Sequence, residues 1–444
     1  MNENAILFSK VFLRLYGKDI LQNITWKVGK NESWVILGLN GAGKSTLARS
    51  IFEDIPITGN KSCIYSIKEI GYVSFDHEKN IHSSPLHINN ATKLHLKKSR
   101  NLSLSSASTG EVKKFLLARA LAKKSKLLIL DEPFDGLDER SREEFWKLIK
   151  KKLKRTQLIL ITHRFDEIPE EISRVLVLHN GKVFASGHKE FVLNQKKVKK
   201  LFSHVEGAAN TPDFIKNRIN KIPEILIQMK NVTVRYSKKI VLNKINWTMK
   251  KGENWAIIGP NGAGKTTLLK LITGDNIQAY GQDIKIFGMQ KGSGESMWEI
   301  KKYISEVSGH LQLRYQKNIS SLEVVVSGFF DSIGVYRRSS KNQINIAKKW
   351  MKNLGLEKLV DRSFTHLSQG QQRMVIIARA MVKSPLLLIL DEPLHGLDVI
   401  NRKKVLELVD WIGKNTHTHI LYVTHHKNEI PKNITKTLHL KNDN

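Results

Sequence analysis

The sequence predicts an α/β protein made of two copies of one unit, and three observations carry that expectation. The strings GLNGAGKS (Gly38 to Ser45) and GPNGAGKT (Gly259 to Thr266) are near-duplicates. Each follows an apolar run, Trp34 to Leu37 or Trp255 to Ile258, that reads as a buried strand. Each is followed by a helix-like stretch, Leu47 to Phe52 or Leu268 to Ile272. Strand, glycine-rich loop and helix in that order turn a string match into a physical site.

The loop chemistry comes first. Its glycines let backbone N–H groups turn toward a polyphosphate, and the helix N-terminus adds positive potential. Gly38, Asn40, Gly41, Ala42, Gly43, Lys44, Ser45 and Thr46 form the first candidate phosphate cradle. Gly259, Asn261, Gly262, Ala263, Gly264, Lys265, Thr266 and Thr267 form the second. Lys44 and Lys265 are point charges for the β- and γ-phosphates, and Ser45 and Thr266 offer a hydroxyl to Mg²⁺.

Past each loop the same parts recur in the same order. ASTGE (Ala107 to Glu111) and LSQGQ (Leu367 to Gln371) each precede a helical run ending in Ala-Arg-Ala. LLILDEP follows at Leu127 to Pro133 and again at Leu387 to Pro393. Then come DGLD (Asp135 to Asp138) and HGLD (His395 to Asp398), and last ILITHR (Ile159 to Arg164) and LYVTHH (Leu421 to His426). The P-loops stand 221 positions apart, but Ser108 and Ser368, like Asp131 and Asp391, stand 260 apart. The first copy therefore lacks about 39 residues between loop and signature.

This series resembles two ATP-binding cassettes of the ABC superfamily in one polypeptide. The resemblance implies two P-loop NTPase domains, each a mixed-sheet core with a helical subdomain, shortened in the first copy. It implies domains at 1–205 and 225–444 with a linker at 206–224. Asp131 and Asp391 would hold Mg²⁺ with Ser45 and Thr266. Glu132 and Glu392 would polarise the attacking water, with His163 and His425 as γ-phosphate switches. Tyr16 and Tyr236, 22 and 23 positions before the P-loops, would stack on adenine. Signature residues cap the opposite cassette's nucleotide in this superfamily. Ser368, Gly370 and Gln371 would thus close over ATP on Lys44, and Ser108 and Gly110 over ATP on Lys265. The second site is expected to be the weaker, because its opposing signature has Ala107 and Glu111 in place of Leu367 and Gln371.

A narrower resemblance lies in GSGESMWEIKKYISEVS (Gly292 to Ser308), SGFFDSIGVYR (Ser327 to Arg337) and FDEIP (Phe165 to Pro169). These segments are similar to tandem cassettes of the ModF/PhrA type, labelled as molybdenum-transport ATPase or photorepair proteins. IGYVSF (Ile70 to Phe75) and ISEVSG (Ile304 to Gly309) lack the glutamine that transporter cassettes carry there. Asp76 or His77, and His310 or Gln312, are the candidate substitutes. Phe329, Phe330 and Tyr336 read as helix core, with a docking patch as the alternative.

Composition bounds the function classes. One cysteine, Cys63, excludes an internal disulfide, a four-cysteine iron–sulfur cluster and a cysteine-based zinc module. No apolar run approaches the roughly 18–20 residues that span a bilayer. A cytoplasmic chain is expected, peripheral on the inner membrane if its partner is a permease. The net charge of +32 is mostly scattered lysine. It reads as composition, with no basic stretch interleaved with aromatics.

The expectation is a monomeric ATPase with an intramolecular cassette pair that opens and closes on an unidentified protein partner, with a link to molybdate uptake. The alternatives are an importer's peripheral ATPase subunit and a ribosome- or nucleic-acid-associated ATPase.

Overall fold

The computed structural model describes residues 4–15, 17–74, 125–153, 156–203, 222–236, 239–292, 297–315 and 318–441. The chain forms two compact units, one of residues 1–204 with 398–400 and the other of residues 205–397 with 401–444. Residues 204–221, most of the expected linker, lie outside the described residues.

In the first unit, β1 (Asn4–Leu15) pairs antiparallel with β2 (Lys18–Gly29) on one edge and β4 (Ile57–Cys63) on the other. A second sheet holds β3 (Trp34–Gly38), β5 (Ile70–Ser74), β6 (Leu127–Asp131), β7 (Gln157–Thr162), β8 (Arg174–His179) and β9 (Lys182–His188). Its order is β5-β6-β7-β3-β8-β9, parallel except for the β8–β9 hairpin. The interiors of its central strands are apolar because both faces are covered. On β3, Trp34 and Ile36 join the cluster beneath the antiparallel sheet, with Phe8, Trp26 and Val28. Val35 and Leu37 face the other way, toward Phe145 and Ile149 of the helix Glu139–Leu153. Each large side chain buried this way contributes roughly 1.5–3 kcal/mol. The layers are antiparallel sheet, parallel sheet and helix.

The second unit repeats the plan. β10 (Ile225–Tyr236), β11 (Lys239–Lys250), β13 (Asp283–Ile286) and β14 (Met289–Gln290) form an antiparallel sheet ordered β11-β10-β13-β14. The parallel sheet is built from β12 (Trp255–Ile258), β15 (Ile304–Ser308), β16 (Leu387–Asp391), β17 (His419–Thr424) and β18 (Lys436–His439). Its order is β15-β16-β17-β12-β18.

This unit also shows its helical arm, including Gly309–Arg314, Ser321–Val326 and Lys341–Asn353. Arg379, from the Ala-Arg-Ala segment, ties the arm to the helix Gln369–Met381. Its guanidinium donates to the Tyr315 hydroxyl at 2.6 Å and the Ser332 carbonyl at 3.2 Å. Phe329 and Phe330 pack against the arm's core, whereas Tyr336 is 74% exposed. The helical-core expectation therefore holds for the phenylalanines and not for the tyrosine. The matching interval of the first unit, residues 75–124, lies outside the described residues, and so does its expected shortening. Among the described residues, no helix is long and apolar enough to cross a membrane.

Candidate functional site

In each unit the candidate residues gather at the C-terminal ends of the central parallel strands, where open α/β sheets place their ligands. β3 ends at Gly38, β6 at Asp131 and β7 at Thr162, and these strands are adjacent. β12 ends at Ile258, just before Gly259, and β16 and β17 end at Asp391 and Thr424, the counterparts of Asp131 and Thr162.

The loops need their glycines. A Cβ on Gly38 would sit 2.6 Å from the Leu178 carbonyl oxygen, and one on Gly259 would sit 2.6 Å from that of Leu440. Gly43 and Gly264 cap the following helices at φ 94° and 87°, a left-handed conformation that side chains resist. Those helices run Lys44–Arg49 and Lys265–Thr273. They begin at the lysine, three residues before the first apolar position of each predicted helix, and the first stops at Arg49, short of Phe52.

Both lysines are buried, at 6% and 7% exposure. The Lys44 ammonium donates to the Gly38 and Leu39 carbonyls at 2.9 and 3.2 Å, and stands 3.4 Å from the Glu132 carboxylate. The Lys265 ammonium donates to Gly259 and Pro260 at 2.7 and 3.1 Å, with Glu392 at 3.8 Å.

The glutamates occupy matching positions. Glu132 has φ 49° and Glu392 φ 48°, both left-handed. Their N–H groups donate across to the Ile161 and Val423 carbonyls at 3.0 Å, which holds the turn in place. Non-glycine residues kept in such sparsely populated conformations cost roughly 1–3 kcal/mol and cluster at functional sites. The His163 Nδ1–H donates to Glu132 at 2.8 Å, and the His425 Nδ1–H to Glu392 at 2.9 Å. Burial acts to raise each glutamate, but its histidine's hydrogen bond and charge, with the P-loop lysine, hold it below the ordinary carboxylate value. Burial would lower the His163 imidazole, yet the Glu132 hydrogen bond and charge keep it above its ordinary value.

Asp131 is buried, and its Oδ2 accepts a hydrogen bond from the Tyr72 hydroxyl at 2.9 Å. Burial, followed by the charge of Asp131, pushes the Tyr72 phenol up. In the second unit β15, the strand equivalent to β5, carries no tyrosine beside Asp391. Burial first, then Glu392 and Glu306, push its carboxyl up to about 6. Neither Tyr72 nor Glu306 was expected from sequence. The signal that could have found them is strand register.

Ser368 is an exposed helix N-cap whose hydroxyl accepts from the Gln371 N–H, while the Gln371 side chain accepts from the Ser368 N–H. Gly370 is buried against Asn401. Of the candidate glutamine substitutes, Gln312 donates to the Gln372 side chain at 2.8 Å and His310 is exposed. Tyr236 ends β10, half-exposed, and its hydroxyl accepts from Asn276 at 3.1 Å. Tyr16, Asp76, His77, Ser108 and Gly110 lie outside the described residues.

The residues present fit a magnesium nucleotide. Each cradle is closed to any side chain larger than hydrogen at two glycines, and each holds one buried cation. Beside each glutamate an imidazole Nε2 is buried with no hydrogen-bond partner among the described residues. Such atoms are rare without a functional reason.

Fold and motifs define an ATP-binding cassette repeated twice, and the comparison with family models agrees. The ABC transporter family model matches residues 21–135 and 242–395, and the chain belongs to that family. It is 36% identical to the ABC transporter ATP-binding protein ModF of Escherichia coli K12, over 96% of this chain and 94% of that protein. An uncharacterized ABC transporter ATP-binding protein of Schizosaccharomyces pombe is 26% identical over 95% of both chains. A Bacillus subtilis ABC transporter ATP-binding protein, YlmA, is 37% identical over 49% of this chain and 82% of its own length. The tandem arrangement is thus shared along the whole chain with ModF.

Proposed function

We propose that the protein is an ATP hydrolase whose two cassettes each bind ATP with Mg²⁺ and use its cleavage to open and close on a partner. The observation that carries this reading is the twice-repeated set of buried lysine, left-handed glutamate and histidine with an unpartnered Nε2. In each set the lysine and the loop N–H groups grip phosphate. Ser45 with Asp131, and Thr266 with Asp391, would hold Mg²⁺, which supplies charge neutralisation at the phosphates. Mg²⁺ is commonly held in this way, by one or two carboxylates plus phosphate oxygens. Glu132 and Glu392 accept the proton of the attacking water, and His163 and His425 hold each carboxylate by Nδ1 while presenting Nε2 to the γ-phosphate.

By family resemblance the two nucleotides lie head to tail, Ser368 and Gly370 completing the site on Lys44, and Ser108 and Gly110 the site on Lys265. Closure then depends on ATP, and hydrolysis releases it. Tyr16 and Tyr236 supply flat faces for adenine.

The test is phosphate release by the purified chain, followed by partner capture with the Glu132→Gln, Glu392→Gln double variant in ATP. No ATP-dependent phosphate release from the parent would end the enzyme reading. Chaperones alone in the capture would end the partner reading. Co-purification with a permease would favour an importer subunit, and with molybdate uptake genes' products it would support that link. Salt-sensitive co-sedimentation with ribosomes or duplex DNA would favour a nucleic-acid role.

A further inference from the structure

β5 and β15 occupy the same place in their sheets, next to β6 and β16, and their registers match residue for residue. Ser74 pairs with Asp131 and Tyr72 with Ile129. Ser308 pairs with Asp391 and Glu306 with Ile389. Residues in register on neighbouring strands face the same side, as do residues two apart on one strand. Tyr72 therefore shares a face with Asp131, and Glu306 with Asp391, at equivalent positions. One is a hydrogen-bond donor that reaches its aspartate; the other is a carboxylate.

We propose that this pair makes the two cation sites different in kind: Tyr72 is a positioning residue that fixes the Asp131 carboxylate, and Glu306 adds a second negative charge beside Asp391. The inference rests on the proposed function. At site one the phenol donates to Oδ2 at 2.9 Å, which fixes the carboxylate plane and occupies one of its lone pairs. Arg49, paired first with Glu53, is close enough for its guanidinium to feel the Asp131 charge. Phe52 packs against the Tyr72 ring with centroids 5.1 Å apart, so the phenol itself is held. At site two the position equivalent to Tyr72 holds the carboxylate of Glu306 in place of a phenol. The Glu306 charge is felt at Asp391, after burial and Glu392. A carboxylate there cannot orient Asp391 by donation, but it attracts a dication and accepts hydrogen bonds from that ion's water shell.

The test uses the full chain with ATP and Mn²⁺ as the probe, free Mn²⁺ being counted by electron paramagnetic resonance without reference to turnover. Lys265→Ala isolates site one and Lys44→Ala isolates site two. Tyr72→Phe should raise the half-saturating Mn²⁺ at least tenfold at site one and leave site two unchanged. Glu306→Gln should raise it about tenfold at site two and leave site one unchanged. Thermal unfolding of each variant separates lost positioning from lost fold, and should Tyr72→Phe unfold, the nearly isosteric Glu306→Gln decides alone. Unchanged half-saturation at each residue's own site, or tighter Mn²⁺ binding by Glu306→Gln, would overturn the proposal. If neither lysine variant binds Mn²⁺ with ATP, the proposed function itself fails first.

Discussion

The two cassettes agree where phosphate chemistry is set and differ one strand away from it. Lysine, glutamate and histidine make nearly the same contacts in both, and the glutamates share φ values of 49° and 48°. The neighbours do not. Tyr72 answers to Glu306, and at the start of the strand that carries the histidine, Gln157 answers to His419. Gln157 donates to the Gly29 and Glu32 carbonyls and accepts from the Tyr65 hydroxyl, ties that do not titrate in the physiological range. His419 makes the analogous tie with an imidazole: its Nε2 accepts from the Gly252 N–H at 2.8 Å, and Nδ1–H donates to the Leu386 carbonyl. Duplication thus preserved the reacting groups and let the surrounding scaffold drift, which makes each half a control for the other.

The largest expected effect would break the equivalence of the glutamates. Glu132→Gln and Glu392→Gln should each lower phosphate release about 100-fold or more at their own site, in the range of a lost general base. Under the proposed pairing of each signature with the other cassette's nucleotide, the altered signature serves Lys265, so Glu132→Gln should cost more of the total turnover. Equal losses would remove the asymmetry.

Next in size, Tyr236→Ala should raise KM for ATP roughly tenfold with little change in kcat, since a stacking face contributes about 1–1.5 kcal/mol. Tyr236→Phe should keep the face and lose only the Asn276 tie. A Tyr236→Ala variant with unchanged KM would leave this tyrosine as a strand residue only.

The smallest effect concerns acid. Burial lowers the His419 pKa below 6.5, with Lys251 and His417 adding to that against the Leu386 hydrogen bond. The unfolded chain then takes up the proton first. Stability present above about pH 6.5 is lost as pH falls toward the folded pKa. His419→Gln, copying the first half, should flatten the fall in Tm between pH 7 and 5.5 by a few degrees, about what 1 kcal/mol produces in a domain of this size. A parallel fall in both proteins would exclude His419 as the source.

How much of this was legible depended on range. The phosphate loops were readable because their requirements are local: glycine where a Cβ would meet Leu178 or Leu440, and lysine six residues on to fold back over the loop. The order of parts also indicated that Asp131, Glu132 and His163 belong together. Their convergence depends on the strand order β6-β7-β3, which no linear string displays. Helix starts were misplaced because an apolar pattern marks the packed face, whereas the helix begins at the left-handed glycine before it. Tyr72 and Glu306 were missed for a sharper reason. Each lies in an apolar-looking strand, and only register against the next strand, with Ile129 or Ile389, sets it on the face of its aspartate and gives it meaning.

The left-handed glutamates carry a consequence for how such a chain would decay. A carboxylate side chain is a poor tenant of that backbone region, where glycine and asparagine sit with little or no penalty. Relief of that strain alone would reward loss of the glutamate, but its partners oppose it. Glu392→Gly would silence its centre and relax the main chain while leaving Lys265 and His425 without their carboxylate, so the inert protein should melt earlier than its working parent.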